Sequence, residues 1–249
     1  MEGFTRTHVS TFAVRDNLLI AGGSKGELIC KDLNRRGISF CTRTTYDDNA
    51  ITNAIDIYNA PSSSNNDCGV RDYDMERFQL VKHFSCPWPV NHTAMSPDGK
   101  IIAIVGDNPK GMLVDSQTGK TIGHVREHLD FSFATAWHPD GHVFATGNQD
   151  KTCRVWDARN LSSSVAVLKG NMGAIRSIRF TSDGQLMATA EPADFVHIYD
   201  VKSGYEKEEE IDFYGETSGF SFSPDKDSLF VGVWDPFYSS LMQYNLRRN

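Results

Sequence analysis

Apolar and polar positions follow one another along this chain in short runs with the two-residue period of a half-buried strand, and turn formers close each run. His142-Val-Phe-Ala-Thr-Gly leads into Asn148-Gln-Asp-Lys and then into Thr152-Cys-Arg-Val-Trp-Asp, which reads as strand, turn, strand. No amphipathic helix of useful length interrupts the pattern. The runs also recur. An apolar residue followed by a turn stands at Met95-Ser-Pro-Asp-Gly, Trp137-His-Pro-Asp-Gly, Phe180-Thr-Ser-Asp-Gly and Phe222-Ser-Pro-Asp-Lys, with starts 42, 43 and 42 residues apart. A second anchor closes a short apolar strand at Asp32, Asp72, Asp115, Asp157, Asp200 and Asn245, at intervals of 40, 43, 42, 43 and 45. A period near 40 residues marks a stacked or radial architecture. Proline presets φ, aspartate bonds its own backbone and glycine accepts positive φ, so Pro-Asp-Gly fits a tight hairpin. Four antiparallel strands per unit, set radially, bury both faces of each sheet against its neighbours. Six units result, spanning approximately residues 5–45, 46–85, 86–126, 127–168, 169–212 and 213–249.

The stretch from Glu127-His128 to Asp157, EHLDFSFATAWHPDGHVFATGNQDKTCRVWD, resembles the repeat of the WD-repeat (transducin-like) β-propeller family. The resemblance implies an all-β propeller of four-stranded blades and a buried, hydrogen-bonded tetrad formed by His128, Thr146, Asp150 and Trp156. Indole and imidazole both need partners when buried, which such a tetrad supplies. Other units keep less of the motif: one ends in Leu113-Val-Asp and another in Ile198-Tyr-Asp. The phrases Trp88-Pro-Val-Asn, Gly147-Asn-Gln-Asp-Lys-Thr, Glu191-Pro-Ala-Asp-Phe-Val-His and Gly232-Val-Trp-Asp are similar to those of a little-characterised plant and fungal group of WD-repeat proteins. The second unit looks short. From its first-strand anchor to the residue before its closing Asp it spans 14 residues where four other units span 19, and Pro61-Ser-Ser-Ser-Asn-Asn reads as a spliced-over turn in place of a strand. Met1 enters a repeat within a dozen residues, whereas the similar group has a longer N-terminal part. The expectation is therefore six repeats with the second incomplete, forming a six-bladed ring or an arc of a seven-bladed one, with the arc favoured.

Composition narrows the functional classes. The 249 residues are 39% hydrophobic and 23% charged, with 20 glycines, the make-up of a globular protein. A net charge of −7 repels a polyphosphate, and the basic doublets Arg35-Arg36 and Arg247-Arg248 are too short for a binding stripe, so no direct nucleic-acid binding is expected. No apolar run approaches the roughly 20 residues of a membrane span, and the N-terminus lacks a secretory apolar core, so the expected location is cytoplasm or nucleus. The five cysteines (30, 41, 68, 86 and 153) are scattered with no Cys-x-x-Cys pair, which indicates neither disulfides nor a zinc knuckle.

The chemistry-bearing motifs are few. His124-Val-Arg-Glu-His128 has a metal-like spacing on a helix, but it joins two strands here and His128 already has a tetrad role. No nucleophile elbow or phosphate-cradling loop is present, Gly22-Gly-Ser-Lys-Gly is a strand turn, and Asp47-Asp48 has no partner base nearby in sequence. No metal or cofactor is expected, and a propeller enzyme is the remote alternative. Glu206-Lys-Glu-Glu-Glu210 reads as a solvated edge that could also dock a basic partner. Phe213-Tyr214 and the lengthened hairpin Trp234-Asp-Pro-Phe-Tyr238 are aromatic-rich, and Trp234, Phe237 and Tyr238 are candidate protein contacts. Trp156-Asp157-Ala158-Arg159 is similar to the box by which WD-repeat proteins dock the damaged-DNA-binding adaptor of cullin-4 ubiquitin ligases; that resemblance would place Asp157 and Arg159 on the bottom rim. The function expected is a scaffold for other proteins, with a cullin-4 substrate receptor as the alternative.

Overall fold

The computed structural model describes residues 7–47, 50–57, 61–74, 76–77 and 79–246, so Asp48, Arg247 and Arg248 lie outside the described residues. Among those described, all regular structure is antiparallel strand. The first sheet is β1 (Val9–Arg15), β2 (Leu18–Gly23), β3 (Glu27–Asp32) and β4 (Phe40–Arg43), and the second is β5 (Thr52–Ile57), β6 (Pro61–Asn65), β7 (Gly69–Asp74) and β8 (Gln79–Ser85). The third is β9 (Val90–Met95), β10 (Ile101–Gly106), β11 (Asn108–Asp115) and β12 (Thr121–Val125), and the fourth β13 (Ser132–Trp137), β14 (Val143–Asn148), β15 (Thr152–Asp157) and β16 (Ala166–Lys169). The fifth sheet has six strands: β17 (Ser177–Phe180), β18 (Leu186–Ala190), β19 (Ala193–Asp200), β20 (Glu208–Phe222), β21 (Ser228–Trp234) and β22 (Ser239–Asn245). In each sheet the strands pair in chain order. The first strands β1, β5, β9, β13 and β17 pack one on the next, which sets the sheets in the ring-like order of a β-propeller with five blades.

Six sequence units give five blades because β20 is shared. Its first part pairs with β19 as an outer strand, and from Glu216 onward it pairs with β21 as an inner one. Gly215 (φ 138°) stands at the change of partner, where a Cβ would lie 2.5 Å from Val233 Cγ1. Through that shared strand the sixth unit adds β21 and β22 to the fifth sheet, while β20 packs back on β17.

The second unit is complete, contrary to its short spacing. Pro61–Asn65 is a strand, paired on one side with β5 and on the other with β7, and Ser63, Ser64 and Asn65 are fully buried. Two things made it look short. The β5-to-β6 connection leaves room for only residues 58–60, and the closing residue is Asp74, not Asp72: the Oδ1 of Asp74 accepts the amides of Glu76 and Arg77. Asp115 and Asp200 hold their turns in the same way. Asp72 sits inside β7 beside an irregularity in its pairing with β8.

The core is serial. One apolar cluster joins Ile20, Leu28 and Cys30 of the first sheet to Ile55 and Tyr73 of the second, and another joins Val70 to Val90, Ile102, Ile104 and Met112. Leu113 and Val125 of the third sheet meet Trp137, Phe144 and Trp156 of the fourth; Val155 and Cys153 then meet Ile178, Met187 and Tyr199 of the fifth. The last cluster packs Val196, Ile198 and Phe213 with Phe220, Leu229 and Val231. The hairpins between second and third strands turn through a left-handed residue at the same place in four blades: Gly26, Cys68, Lys151 and Asp194, with φ of 62–73°.

Phe12 and Val14 on β1 are 67% and 50% exposed, and Leu241 on β22 is 73% exposed. Apolar side chains presented this way bind hydrophobic dyes and neighbouring molecules. The double variant Phe12→Ser, Leu241→Ser is expected to bind less 1-anilinonaphthalene-8-sulfonate than the parent, with a stability change within about 0.5 kcal/mol because both positions are at the surface. Dye fluorescence and urea melts would check this, and unchanged dye binding would contradict it.

Candidate functional site

The fourth blade brings His128, Thr146, Asp150 and Trp156 together. Trp156 Nε1–H donates to Thr146 Oγ1 over 2.8 Å. Thr146 Oγ1 lies 2.8 Å from His128 Nε2, and His128 Nδ1 lies 3.0 Å from Asp150 Oδ2. Since the threonine oxygen already accepts the indole N–H, its own proton goes to Nε2, and Nδ1–H donates to the aspartate. Asp150 also accepts Leu129 N–H, Thr152 N–H and the Thr152 hydroxyl. These bonds hold its carboxyl below the usual range, although burial, the largest single influence, pushes the other way. Burial pushes the His128 pKa down, against the pull of Asp150. The chain of donors ties β14, β15, the hairpin between them and the loop before β13 into one unit.

Hydroxyl, imidazole and carboxylate in this order have the connectivity of a nucleophile, its base and the group that orients it. The arrangement does not serve chemistry. Thr146 is 1% exposed and Trp156 fully buried, and Oγ1 already accepts the indole N–H, so the hydroxyl is neither open to solvent nor free of a partner. With both ring nitrogens engaged, His128 does not combine with His124 on a metal.

Asp157 and Arg159 follow β15 at the rim. The Arg159 guanidinium binds Asp157 through two parallel bonds, Nε to Oδ1 at 2.9 Å and Nη2 to Oδ2 at 2.7 Å. The arginine beside it holds the Asp157 carboxyl down to about 2. The side chain of Arg159 is 68% exposed, so a planar, pre-oriented fork with spare N–H groups faces solvent. Trp234, Phe237 and Tyr238 stand in the β21–β22 hairpin at 47%, 85% and 82% exposure. That hairpin joins a second strand to a third, whereas Asp157 ends a third strand; the two sets therefore lie on opposite rims and form no single surface. Of the neighbouring aromatic pair, Phe213 is buried in the last cluster and Tyr214 is exposed.

Sequence reasoning passed over a second polar cluster. Shifted by 43 residues, the tetrad positions of the fifth blade hold Asn171, Thr189, Ala193 and Tyr199, and a different network replaces it. His197 lies between Glu191 Oε1 at 2.9 Å and Glu208 Oε1 at 2.7 Å, and Tyr199 Oη donates to Glu208. The phrase from Glu191 to His197 was in view, but its partners come from β20, whose register no local pattern reveals.

The profile of the WD domain, G-beta repeat family matches residues 119–157 and 162–200, stretches that run to the ends of the third strands of the fourth and fifth blades. The chain is 28% identical over 188 residues to an uncharacterised protein of Schizosaccharomyces pombe, covering 68% of this chain and 54% of that one. It is 26% identical over 147 residues to the WD repeat-containing protein SL1-17 of Schistosoma mansoni, with 57% and 47% covered. It is 28% identical over 95 residues to DDB1- and CUL4-associated factor 10 of Xenopus tropicalis, with 38% and 21% covered. The chain thus spans about half the length, or less, of these curated relatives.

Replacing Trp156 with alanine is expected to cost about 3–5 kcal/mol through the cavity and the lost indole partner; a loss below about 1 kcal/mol in urea melts would show that the tetrad does not brace the blade. Acid should also destabilise the fold. The His128 pKa is lowered by burial, and burial with nearby Arg179 takes His92 down to about 3. An unfolded histidine titrates near 6.5, so below that pH the unfolded chain binds more protons and stability falls as pH falls, by at most about 1.4 kcal/mol per pH unit for each histidine. Urea midpoints measured between pH 7.5 and 5 should decline, and less steeply in His92→Leu. Asp56, raised by burial, acts in the opposite sense as pH falls through its folded pKa, so the comparison of the parent with His92→Leu carries the test.

Proposed function

We propose that this chain, a β-propeller that the WD domain, G-beta repeat family matches over residues 119–157 and 162–200, is a WD-repeat protein and a non-catalytic scaffold that holds other proteins on its rims. One observation carries this reading. The blade that keeps the full tetrad spends its histidine, aspartate and threonine on internal bonds, while aromatic and charged side chains stand exposed at the rims. Tryptophan and tyrosine anchor interfaces because they bury large rigid surfaces at little conformational cost. Trp234, Phe237 and Tyr238 on a hairpin tip are such a set, and Arg159, already aligned by Asp157, can give its remaining N–H groups to a carboxylate or carbonyl without further ordering.

The second reading, a substrate receptor for a cullin-4 ubiquitin ligase, is favoured by the exposed Asp157–Arg159 fork and by the similarity to DDB1- and CUL4-associated factor 10. On this reading the adaptor sits on the rim that carries Arg159, and the opposite rim with its aromatic hairpin is left for a substrate.

Affinity purification of the tagged chain with mass spectrometry tests both. Arg159→Ala is expected to abolish capture of the damaged-DNA-binding adaptor while moving the melting temperature by less than about 2 °C, since a surface side chain away from the core contributes little to stability. If the wild type fails to capture the adaptor, the receptor reading is overturned and the scaffold reading stands. The triple variant Trp234→Ala, Phe237→Ala, Tyr238→Ala is expected to lose a different set of partners; an unchanged set would remove that hairpin from the interaction surface.

A further inference from the structure

The register between β19 and β20 sets His197 directly opposite Glu210 and Tyr199 opposite Glu208. Residues 197 and 199 on one strand, and 208 and 210 on the next, therefore share one face of the sheet. Tyr199 on that face packs against Cys153 and Val155 of the fourth sheet, so the cluster lies at the seam between the fourth and fifth blades. The His197 side chain is 1% exposed, while Glu208 and Glu210 are 40% and 42% exposed. One buried imidazole thus faces two carboxylates that reach it from the solvent side.

The other side of the ring is fixed. Glu191, with a fully buried side chain, accepts the backbone N–H of Asn171 at Oε1 and those of Met172 and Gly173 at Oε2. With both oxygens already accepting, Glu191 is the acceptor for His197 Nε2 as well, which makes Nε2 the protonated nitrogen. Nδ1 is left to face Glu208 Oε1 at 2.7 Å and Glu210 Oε2 at 3.7 Å; the first of these oxygens also accepts the Tyr199 hydroxyl and the second the Asn171 side-chain N–H, bonds that leave each carboxylate a second oxygen. Two acceptor carboxylates cannot meet an imidazole lone pair with nothing between them. A cation belongs there, either a proton on Nδ1 or a metal ion.

Charge bears on the choice. At the matching position of the fourth blade, Arg154 pairs with Glu127 at 2.6 Å, one cation for one anion. The fifth blade surrounds a single imidazole with three glutamates, and among the described residues none of the three is paired with a lysine or arginine. A proton leaves that excess of negative charge largely in place, whereas a divalent ion offsets it. The donor atoms of His197, Glu208 and Glu210 lie within 4.8 Å of one another, and two exposed glutamates can turn to give the metal–donor distances of about 2.0–2.2 Å that zinc requires. A metal-binding histidine whose other nitrogen donates to a carboxylate is the usual way of fixing the ligand's tautomer and orientation.

We propose that His197, Glu208 and Glu210 bind a divalent cation, zinc being the one their mixed nitrogen and oxygen donors suit, with Glu191 as the positioning residue behind His197. The ion would clip the outer strand of the fifth blade to its third strand, behind which Glu191 holds the entering loop at residues 171–173. Isothermal titration of the whole chain with zinc chloride is expected to show one equivalent bound, and the melting temperature to rise with zinc and return with EDTA. Glu208→Gln and Glu210→Gln should each weaken zinc binding at least tenfold while the melt in EDTA stays cooperative and zinc no longer raises its midpoint, which separates loss of a ligand from loss of fold. His197→Gln should abolish binding, but because it is buried the two glutamate variants carry the test. X-ray absorption of the zinc-bound chain should show nitrogen and oxygen neighbours only. Zinc binding that survives the double glutamine variant, sulfur neighbours from the free cysteines, or no stoichiometric binding would each overturn the site and leave a proton on Nδ1.

Discussion

A four-stranded sheet that is apolar on both faces is stable only between two neighbours, and that constraint organises everything else in this molecule. None of the first four blades owns a core. Ile20 and Leu28 need Ile55, Leu113 needs Trp137 and Trp156, and Val155 needs Met187, so there burial, the dominant favourable contribution to folding, comes only across seams, while the last cluster forms between the fifth and sixth units. A substitution at one seam is felt by two blades at once. The strands themselves can then vary widely in sequence, provided that each keeps bulk on both sides.

Polar groups hold the loop that enters each of three blades. The residue at the end of the second strand is equivalent in three blades. Asn65 there donates to Thr52 and Ala50, Asn148 donates to Asp130 and Ser132, and Glu191 accepts three amides from residues 171–173. The asparagines hold carbonyl and hydroxyl oxygens, whereas the glutamate holds N–H groups, so the entering loop of the fifth blade presents the opposite polarity from the others. That reversal brings a buried carboxylate to His197 and gives the fifth blade a character that its missing tetrad alone would not predict.

The fold was legible because a radial architecture repeats its turn chemistry: an aspartate turn after the first strand marks four units, and a closing Asp or Asn marks all six, whatever their core residues are. The tetrad residues could be read for the same reason: all lie in one unit at spacings set by strand length. Two things were hidden. Pro61, Ser62, Ser63, Ser64 and Asn65 have turn chemistry, and only pairing on both sides makes them a strand; context outweighs local preference in sheets. The run Glu206–Glu210 looked like a solvated edge because alternation puts Glu208 and Glu210 toward His197 and Glu209 away from it, and that depends on the register of a strand whose partner lies eleven to thirteen residues back. Exposure of the rim aromatics was equally undecided, because a lengthened hairpin can fold inward or outward.

The fifteen-residue strand β20 has a further consequence for how the chain comes apart. In the first four blades a seam can open when the connecting loop yields, since no backbone ladder crosses it. Between the fifth and sixth units one strand carries both ladders in succession, with Glu216 paired on both sides, so continuous strand stands where the other blades have a loop, and the C-terminal third of the chain is expected to exchange its amide protons more nearly as one block than the earlier blades. A molecule assembled from near-identical parts is thereby given a direction, with its least divisible piece at one end.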